Sequence, residues 1–342
     1  MRKTASMTGP IRVVVSGTGS EVPTRVMANA AFESMIDTSD EWIRTRTGIR
    51  ERRFIEPGDT SATLGVRASR KAIESAGISP DEIDLIICAT ITPAMMSPTN
   101  ACIIQAELGC RPVPAFDLAA ACTGFVYALS VADAMMRSGT VRHALVVGAE
   151  VLSKALDFTD RNTCILFGDG AGAVVLSRVD DANAEASNRG LSCFQLHSDG
   201  RRGDLIQMPS SVTDQTPNAE GQLHPGQQYL WMHGREVFKF AVQRLTDILR
   251  QAMAECEARG VTLDWVVPHQ VNQRIIDSAL DHTGFPGERV MVNLDRYGNT
   301  SAASVPIALD ELLRTGRAST GQTLLLVAFG GGLTWGSALL GL

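Results

Sequence analysis

The sequence of 342 residues predicts an α/β fold made of two similar halves. Runs typical of buried strands alternate with amphipathic helical segments, which is the pattern of sheets covered by helices. The same order of segments occurs twice, and a glycine ends corresponding helices in both copies. The repeat is far longer than that of a solenoid, so it indicates two related halves and not an array. We divide the chain into an N-terminal half, residues 1–180, and a C-terminal half, residues 181–342.

The first half begins with a β-branched run, Ile11 to Ser16, and the glycines of Gly17-Thr18-Gly19 predict a turn after this strand. Ser39 or Asp40 is the predicted cap of a short helix. The amphipathic helix that follows spans Thr60 to Ala76 and ends at Gly77. The segments that complete this half are an apolar strand buried on both faces (Ile83 to Ala89), a helix (Cys122 to Ser138), a strand (Ala144 to Val147) and a tight turn between the halves (Gly168 to Gly172).

The second half repeats this order with a helix (Gly234 to Arg259), a strand (Leu263 to Val267), a helix (Asn299 to Thr315) and a strand (Leu324 to Val327). Thr323 to Leu342 is long and uncharged enough to span a membrane. Glycines at 330–332 and 336 interrupt it, so two buried strands joined by a tight loop are the better interpretation. The polar segments Asp180 to Gly190 and Pro209 to Gln228 are predicted surface insertions.

Two offsets relate the halves. Asp84 and Asp264 stand before equivalent strands, 180 residues apart (264 − 84), and Cys122 and Asn299 begin equivalent helices, 177 residues apart (299 − 122). If the halves pack about a pseudo-twofold axis, these two helix starts face each other. His269 follows the strand of the second half, so the three side chains are predicted to converge in one cleft.

Composition excludes several classes of protein. A formal charge of −6 argues against non-specific nucleic-acid binding, and the N-terminus has no apolar segment typical of a signal peptide. The seven cysteines form no Cys-x-x-Cys pair, which argues against a zinc site or a disulfide framework. The histidines at 143, 197, 224, 233 and 282 stand in no metal-ligand spacing. We therefore predict a cytoplasmic protein with reduced thiols, no metal and no membrane segment.

Cys122 is the candidate nucleophile. Three alanines precede it and leave room for a ligand, and the start of a helix favours a thiolate, so a lowered thiol pKa is predicted. The alternatives are that Cys122 is a small core residue, that His269 is a core histidine bonded to backbone, and that Asn299 is a helix N-cap. The cap and a catalytic role are compatible for Asn299.

These segments together resemble the β-ketoacyl-acyl carrier protein synthase III family of the thiolase-like superfamily. The resemblance extends from about Ile11 to Leu342. It rests on six motifs, which lie at Asp37–Ile43 with Thr45–Ile49, Ala119–Phe125, Phe167–Gly172, Val267–Asn272, Gly298–Ser304 and Phe329–Gly336. It implies a five-layer α-β-α-β-α fold, a homodimer, and a catalytic triad of Cys122, His269 and Asn299.

The implied reaction joins an acyl-CoA to malonyl-acyl carrier protein in a decarboxylating condensation that initiates fatty acid synthesis. Coenzyme A is then a substrate, and no cofactor is expected. The resemblance gives an oxyanion hole to the backbone N–H groups of Cys122 and Gly331. It also assigns coenzyme A contacts to Thr38, Trp42, Arg46, Arg161, Phe238 and Asn272, with the adenine between Trp42 and Arg161.

Two further surfaces are implied, and this chain departs from the family at both. Basic residues that would bind the acidic carrier protein fall on Arg235, Lys239 and Arg274, although Asp281 stands where the family often has another lysine. An ordinary solvated helix face is the alternative. The acyl pocket, which an aromatic residue of the partner subunit often closes, would be lined by Met95, Met96 and Ser97; serine in place of the aromatic predicts room for primers longer than acetyl.

Two other functions compete with this one. A related condensing enzyme or acyltransferase of secondary metabolism would share the triad. A non-catalytic partner subunit of ketosynthase type usually lacks the nucleophile, so the presence of Cys122, His269 and Asn299 argues against it.

Overall fold

The computed structural model describes residues 11–180, 188–209 and 229–342. The strands are β1 (Ile11–Glu21), β2 (Val26–Ala28), β3 (Glu51–Arg53), β4 (Leu85–Ala89), β5 (Ala115–Leu118), β6 (His143–Val151), β7 (Asp169–Asp180), β8 (Gly190–Ser198), β9 (Ile206–Gln207), β10 (Trp231–Met232), β11 (Leu263–Pro268), β12 (Thr323–Gly330) and β13 (Thr334–Gly341). The helices are α1 (Asp40–Thr47), α2 (Ser61–Ala76), α3 (Asn100–Leu108), α4 (Gly124–Arg137), α5 (Gly234–Ala258), α6 (Gln273–Thr283), α7 (Leu294–Tyr297) and α8 (Ser304–Arg314).

Two mixed sheets form the framework. The first has the order β1-β7-β6-β4-β5 and the second the order β11-β12-β13-β8. Helices α4 and α8 lie between the sheets, because one buried cluster joins their apolar faces to strands of both. Helices α2 and α3 cover the outer face of the first sheet, and α5 and α6 cover that of the second. The five layers and the α/β class are those predicted.

Local signals identified several elements correctly. Ser39 caps α1 by accepting a hydrogen bond from Trp42 N, and Thr60 caps α2, which ends at Gly77 in the left-handed conformation (φ +65°). Strand β4 is buried at every position and pairs in parallel with both neighbours, as its continuous apolar run predicts. Strands β12 and β13 form the predicted buried pair, and no helix in the described ranges has the length and apolarity needed to cross a bilayer.

Two predicted turns are wrong. Strand β1 runs through Gly17 and Gly19, where a Cβ would lie within 2.4 Å of backbone atoms of α2. The segment at Gly168–Gly172 enters β7, and a Cβ at Gly172 would lie 2.7 Å from the backbone of α8. These glycines are required by the close approach of a helix to a strand and not by a change of chain direction.

The repeat also needs a correction. Turns of 3-10 helix at Ala121–Thr123 and Ser301–Ala303 precede α4 and α8, and the first residue of each has a positive φ, +46° and +50°. The offset at these helix starts is 180 residues (301 − 121), and 177 holds only at the helix ends because α8 is three residues shorter than α4. Cys122 therefore corresponds to Ala302 and not to Asn299.

The first sheet takes its strands from residues before 181 and the second from residues after it. The proposed halves, 1–180 and 181–342, remain a prediction, since α8 packs against both sheets. Most of the two predicted insertions, together with His224 and residues 1–10, lies outside the described residues.

Candidate active site

Cys122, His269 and Asn299 line one enclosed cavity. Cys122 lies in the turn between β5 and α4, and His269 directly follows β11. Asn299 lies between α7 and α8 and pairs with Phe167, just ahead of β7, so the sheets and the central helices set all three positions. The wall of the cavity is otherwise almost wholly apolar and is formed by Ile91, Ala121, Leu152, Phe167, Ile206, Leu230, Met232, Val237, Phe240, Val271, Ser301, Phe329, Gly330 and Gly331. The predicted convergence of the three side chains is thus what the structure shows.

Gly330 approaches Cys122 very closely. A Cβ at this position would lie 2.8 Å from Cys122 Cβ, 3.0 Å from its N and 3.1 Å from its Sγ. Any side chain there would displace the nucleophile or its turn. Gly331 is next in the chain and lines the same cavity, and its role in an oxyanion hole stays a prediction.

Burial controls the ionisation of Cys122. It raises the pKa of the thiol to about 12, although a side-chain hydrogen bond with Ser301 acts in the opposite direction. The predicted lowering of the pKa is therefore wrong. Cys122 lies in a 3-10 turn ahead of α4, and the loss of solvation outweighs what the start of the helix provides. The resting group is the neutral thiol.

His269 is held in a fixed orientation at the end of β11. Its backbone N donates to Val327 O (2.7 Å), and its Nδ1 lies 2.6 Å from Ser304 Oγ at the start of α8. The ring contacts the edge of Phe329. Burial lowers the pKa of His269 to about 3, so the imidazole is neutral at physiological pH.

Asn299 is positioned by backbone on both sides. Its N donates to Leu166 O and its O accepts from Gly168 N, while its Oδ1 accepts from Ser301 N (2.8 Å). The side chain therefore fixes the start of the Ser301–Ala303 turn, but the N-cap of that turn is Thr300 and that of α8 is Ala303, so the alternative of Asn299 as a helix N-cap is wrong. Since Oδ1 is engaged, the amide group directed to the cavity is a donor.

The residues predicted to contact the nucleotide cluster around Trp42. The guanidinium carbons of Arg46 and Arg161 each lie 4.7 Å from its ring centroid, and Asn272 Nδ2 donates to Arg46 O. Thr38 Oγ1 is buried and has no hydrogen-bond partner within the described ranges. Because Arg161 already lies on Trp42, an adenine between them would require the guanidinium to move.

The two remaining predicted surfaces lie outside the cavity. Arg235 and Lys239 are exposed on α5, and the guanidinium of Arg274 on α6 lies 5.6 Å from the ring of Phe238. Met95 and Met96 are 47% and 71% exposed, and neither they nor Ser97 line the cavity of their own chain. Their assignment to a partner's acyl pocket stays a prediction.

The sequence analysis missed three residues of the site. Ser304 contacts His269, Ser301 contacts Cys122 and Asn299, and Glu150 accepts a hydrogen bond from Ser301. Glu150 could have been found from the sequence, because a carboxylate inside the apolar run of β6 is unusual and requires buried hydrogen-bond partners. The two serines stand in a motif that was recognised, but only the asparagine was given a role.

Comparison with known proteins gives one consistent result. The family model for 3-oxoacyl-[acyl-carrier-protein] synthase III matches residues 116–200, and the model for its C-terminal part matches residues 253–342. The β-ketoacyl-[acyl-carrier-protein] synthase III of Xanthomonas campestris pv. campestris is 49% identical over 326 residues, which cover 95% of this chain and 97% of that protein.

Solved structures agree over the whole chain. The 3-oxoacyl-[acyl-carrier-protein] synthase III of Aquifex aeolicus has a TM-score of 0.85 at 42% identity, covering 96% of this chain and 100% of that one. A priming β-ketosynthase from a polyketide biosynthetic pathway has a TM-score of 0.87 at 38% identity and covers 99% of both chains. The similarity therefore includes both sheets.

Proposed function

Because this chain belongs to the 3-oxoacyl-[acyl-carrier-protein] synthase III family, we propose that it condenses an acyl-CoA primer with malonyl-acyl carrier protein. The products are a 3-oxoacyl-acyl carrier protein, CO₂ and free CoA, and the reaction initiates fatty acid synthesis. The observation that carries this proposal is the meeting of Cys122, His269 and Asn299 in one apolar cavity. The reaction uses coenzyme A as a substrate and needs no cofactor.

In the first half-reaction, Cys122 attacks the acyl-CoA carbonyl. Sulfur is a suitable nucleophile, because the acyl-cysteine remains a reactive thioester. The backbone N–H groups of Cys122 and Gly331 stabilise the oxyanion that forms, and the close approach of Gly330 keeps the two segments together. CoA departs, and the acyl group remains on Cys122.

In the second half-reaction, the malonyl thioester loses CO₂ and the resulting enolate attacks the acyl-cysteine. Neutral His269 and the Asn299 amide donate hydrogen bonds to the thioester oxygen as negative charge develops there. For Nε2 of His269 to donate, Ser304 must donate its hydroxyl proton to Nδ1, and the 2.6 Å contact supports this. Asparagine is no base, so the carbanion arises by loss of CO₂ and not by proton abstraction at Asn299.

Substrates enter from the surface where the basic residues lie. Trp42, Arg46 and Arg161, with Thr38, would hold the nucleotide of CoA, and Phe238 and Asn272 would line the path of the pantetheine arm. Arg235, Lys239 and Arg274 lie on α5 and α6 beside that path and would attract the acidic carrier protein. The seven cysteines are all free, which suits the reducing cytoplasm, and the family likeness alone suggests a homodimer.

We expect the wild-type protein to form a covalent acyl adduct with acyl-CoA and then to release it on addition of malonyl-acyl carrier protein. Intact-mass measurement across acetyl-CoA to dodecanoyl-CoA checks the first step, and detection of the 3-oxoacyl product checks the second. If Met95, Met96 and Ser97 of a partner subunit leave the pocket open, primers longer than acetyl react at least as fast as acetyl. Strict acetyl preference contradicts the pocket assignment, and the absence of any adduct contradicts the proposed function.

The two substrate surfaces predict opposite kinetic effects. Trp42→Ala removes the stacking partner of the nucleotide, so we expect a higher KM for acyl-CoA and an unchanged KM for malonyl-acyl carrier protein. Lys239→Glu reverses a charge on the carrier surface, so the reverse pattern is expected, strongest at low salt. Steady-state kinetics with both substrates check this, and each variant is the matched control for the other. Equal effects on the two KM values would contradict both assignments.

A second function is supported by the similarity to the priming β-ketosynthase. In that case the chain would use the same cysteine and cavity to prime a polyketide instead of a fatty acid. Competition between malonyl thioesters carried by a fatty acid carrier protein, a polyketide carrier protein and CoA distinguishes the two, because the favoured acceptor has the highest kcat/KM.

A further inference from the structure

Glu150 is a carboxylate buried in the middle of β6, with no exposed surface. Its oxygens accept hydrogen bonds from Ile91 N (3.1 Å), Thr92 N (3.1 Å), Thr92 Oγ1 (2.5 Å), Thr90 Oγ1 (3.2 Å) and Ser301 Oγ (3.1 Å). No salt bridge of the described residues includes Glu150. A buried carboxylate without a cation is costly to ionise, and four of its five contacts only fix the loop after β4. The fifth contact points to the cavity.

Ser301 joins this carboxylate to the nucleophile. Its Oγ donates to Glu150 Oε1, and its N donates to Asn299 Oδ1. Ser301 also lines the cavity together with Cys122, and its hydroxyl lowers the pKa of the Cys122 thiol. A hydroxyl has one proton to donate. That proton is therefore directed either to Glu150, as in this structure, or to the sulfur of Cys122, where it would stabilise the thiolate and lower the pKa of the thiol. The backbone of Ser301 has a φ of +50°, a conformation uncommon for serine, and it is this conformation that places one residue against all three groups.

Acyl loading needs a proton acceptor that the triad does not offer. The thiol is neutral at rest, yet a thiolate or its equivalent must attack the carbonyl. Burial leaves His269 with a pKa of about 3, and its role as a neutral donor requires that it keep its own proton. Asn299 has no basic atom. Glu150 is a carboxylate that the hydroxyl of Ser301, a residue of the same cavity wall as Cys122, contacts directly.

We propose that Glu150 receives the thiol proton of Cys122 through the hydroxyl of Ser301 while the acyl group is loaded. The Cys122 S–H bond breaks as the bond from sulfur to the acyl carbon forms; the thiol proton passes to Ser301 Oγ, and the hydroxyl proton of Ser301 passes to Glu150. The bond between the acyl carbon and the CoA sulfur then breaks, and the proton returns along the same path to the departing thiolate. Glu150 is thus a positioning residue, and the inference rests on the function proposed above.

The ionisation of Glu150 gives this relay a pH dependence. Burial raises the pKa of Glu150 to about 7, whereas the hydrogen bonds from Thr92, Ile91, Ser301 and Thr90 act in the opposite direction. The titratable groups that face it are the thiols of Cys88 on β4 and Cys122, and burial keeps both neutral near pH 7. Only the carboxylate form accepts a proton, so acyl loading should decrease as the pH falls through about 7 in proportion to the ionised fraction.

Glu150→Gln tests the relay, because glutamine retains an acceptor for Ile91 N and Thr92 N but has no basic oxygen. We expect the single-turnover rate of acyl transfer from acyl-CoA to Cys122 to fall about 10²-fold, the low end of what a positioned acid or base contributes. The decrease in rate below pH 7 should disappear. CO₂ release from a malonyl thioester should be unchanged, since His269 and Asn299 keep their contacts.

Ser301→Ala removes the bridging hydroxyl and should reduce loading to the same extent, and the double variant should be no slower than either single one. Thr90→Val is the matched control, since it removes a hydrogen bond to Glu150 that does not lie on the path to Cys122. Its loading rate well above pH 7 should match that of the wild type, and its pH profile should keep its shape but move to higher pH, because that hydrogen bond lowers the pKa of Glu150. If Glu150→Gln fails to fold, the loading rate of Ser301→Ala alone tests the relay, and a wild-type rate would contradict it. Loading by Glu150→Gln with wild-type rate and pH profile would overturn the relay and leave the proposed function intact, whereas a wild-type protein that forms no adduct would overturn both.

Discussion

Cys122→Ala protein is expected to show no acyl adduct after incubation with acyl-CoA, under conditions in which the wild type gains one acyl group. The other nucleophilic side chains that line the cavity are the imidazole of His269, whose Nδ1 contacts Ser304, and the hydroxyl of Ser301, which donates to Glu150. Alanine removes the sulfur and retains Cβ, so the contact with Gly330 and the turn at Ala121–Thr123 are preserved. Intact-mass measurement at saturating acyl-CoA detects the difference directly.

Cys110→Ala is the matched control for this experiment. Cys110 is also a free cysteine of intermediate exposure, but it follows α3 at the far side of the first sheet. Its variant should load at the wild-type rate. An acylated Cys122→Ala protein would show that another side chain is the nucleophile and would contradict the assignment of the site.

The parts of the fold that could be predicted are those with a local cause. A cap such as Thr60 and a left-handed residue such as Gly77 fix the ends of a helix within a few residues of sequence. The continuous apolar run of β4 reflects burial on both faces. The three candidate site residues could be predicted because each stands in a motif of the family that the sequence resembles, and the structure brings them to one cavity.

The errors have a different origin. Whether a glycine makes a turn or admits a neighbouring helix depends on tertiary packing, and Gly17 and Gly172 do the latter. The offset between the halves changes from 180 to 177 within one helix, which the positions of the final glycines alone do not show. The pKa of Cys122 depends on how completely the assembled cavity excludes water.

The importance of Glu150 could be seen only in three dimensions. It lies 151 residues before Ser301 in the chain, and its contact with that residue depends on the packing of α8 and its preceding turn against the first sheet. A sequence pattern indicates that such a carboxylate is unusual. It does not show which hydroxyl lies between the carboxylate and the nucleophile.

The second large effect is expected for His269→Ala, which should slow CO₂ release from a malonyl thioester by about 10²- to 10³-fold, the usual cost of one lost oxyanion donor. Burial lowers the pKa of His269 to about 3, so the imidazole is neutral and its contribution should not vary with pH above about 4. The removal of the ring leaves Cys122, Ser301 and Glu150 in place. Acyl loading should therefore continue, and the variant should accumulate as the acyl-enzyme when both substrates are present.

Measuring acyl loading and decarboxylation separately in His269→Ala shows which of the two half-reactions requires this residue. His197→Ala is a suitable control, because His197 is exposed and stacks on Trp335 outside the cavity, and it should retain both activities. Unchanged decarboxylation in His269→Ala would remove this residue from the enolate-stabilising pair. If His269→Ala instead lost acyl loading, His269 would be the group that takes the thiol proton. Its Nε2 would then have to be unprotonated, whereas the contact of Nδ1 with Ser304 supports the tautomer that has its proton on Nε2. A neutral imidazole cannot hold its Nε2 proton for the enolate and accept the thiol proton at the same atom, so the two outcomes assign the proton to different residues.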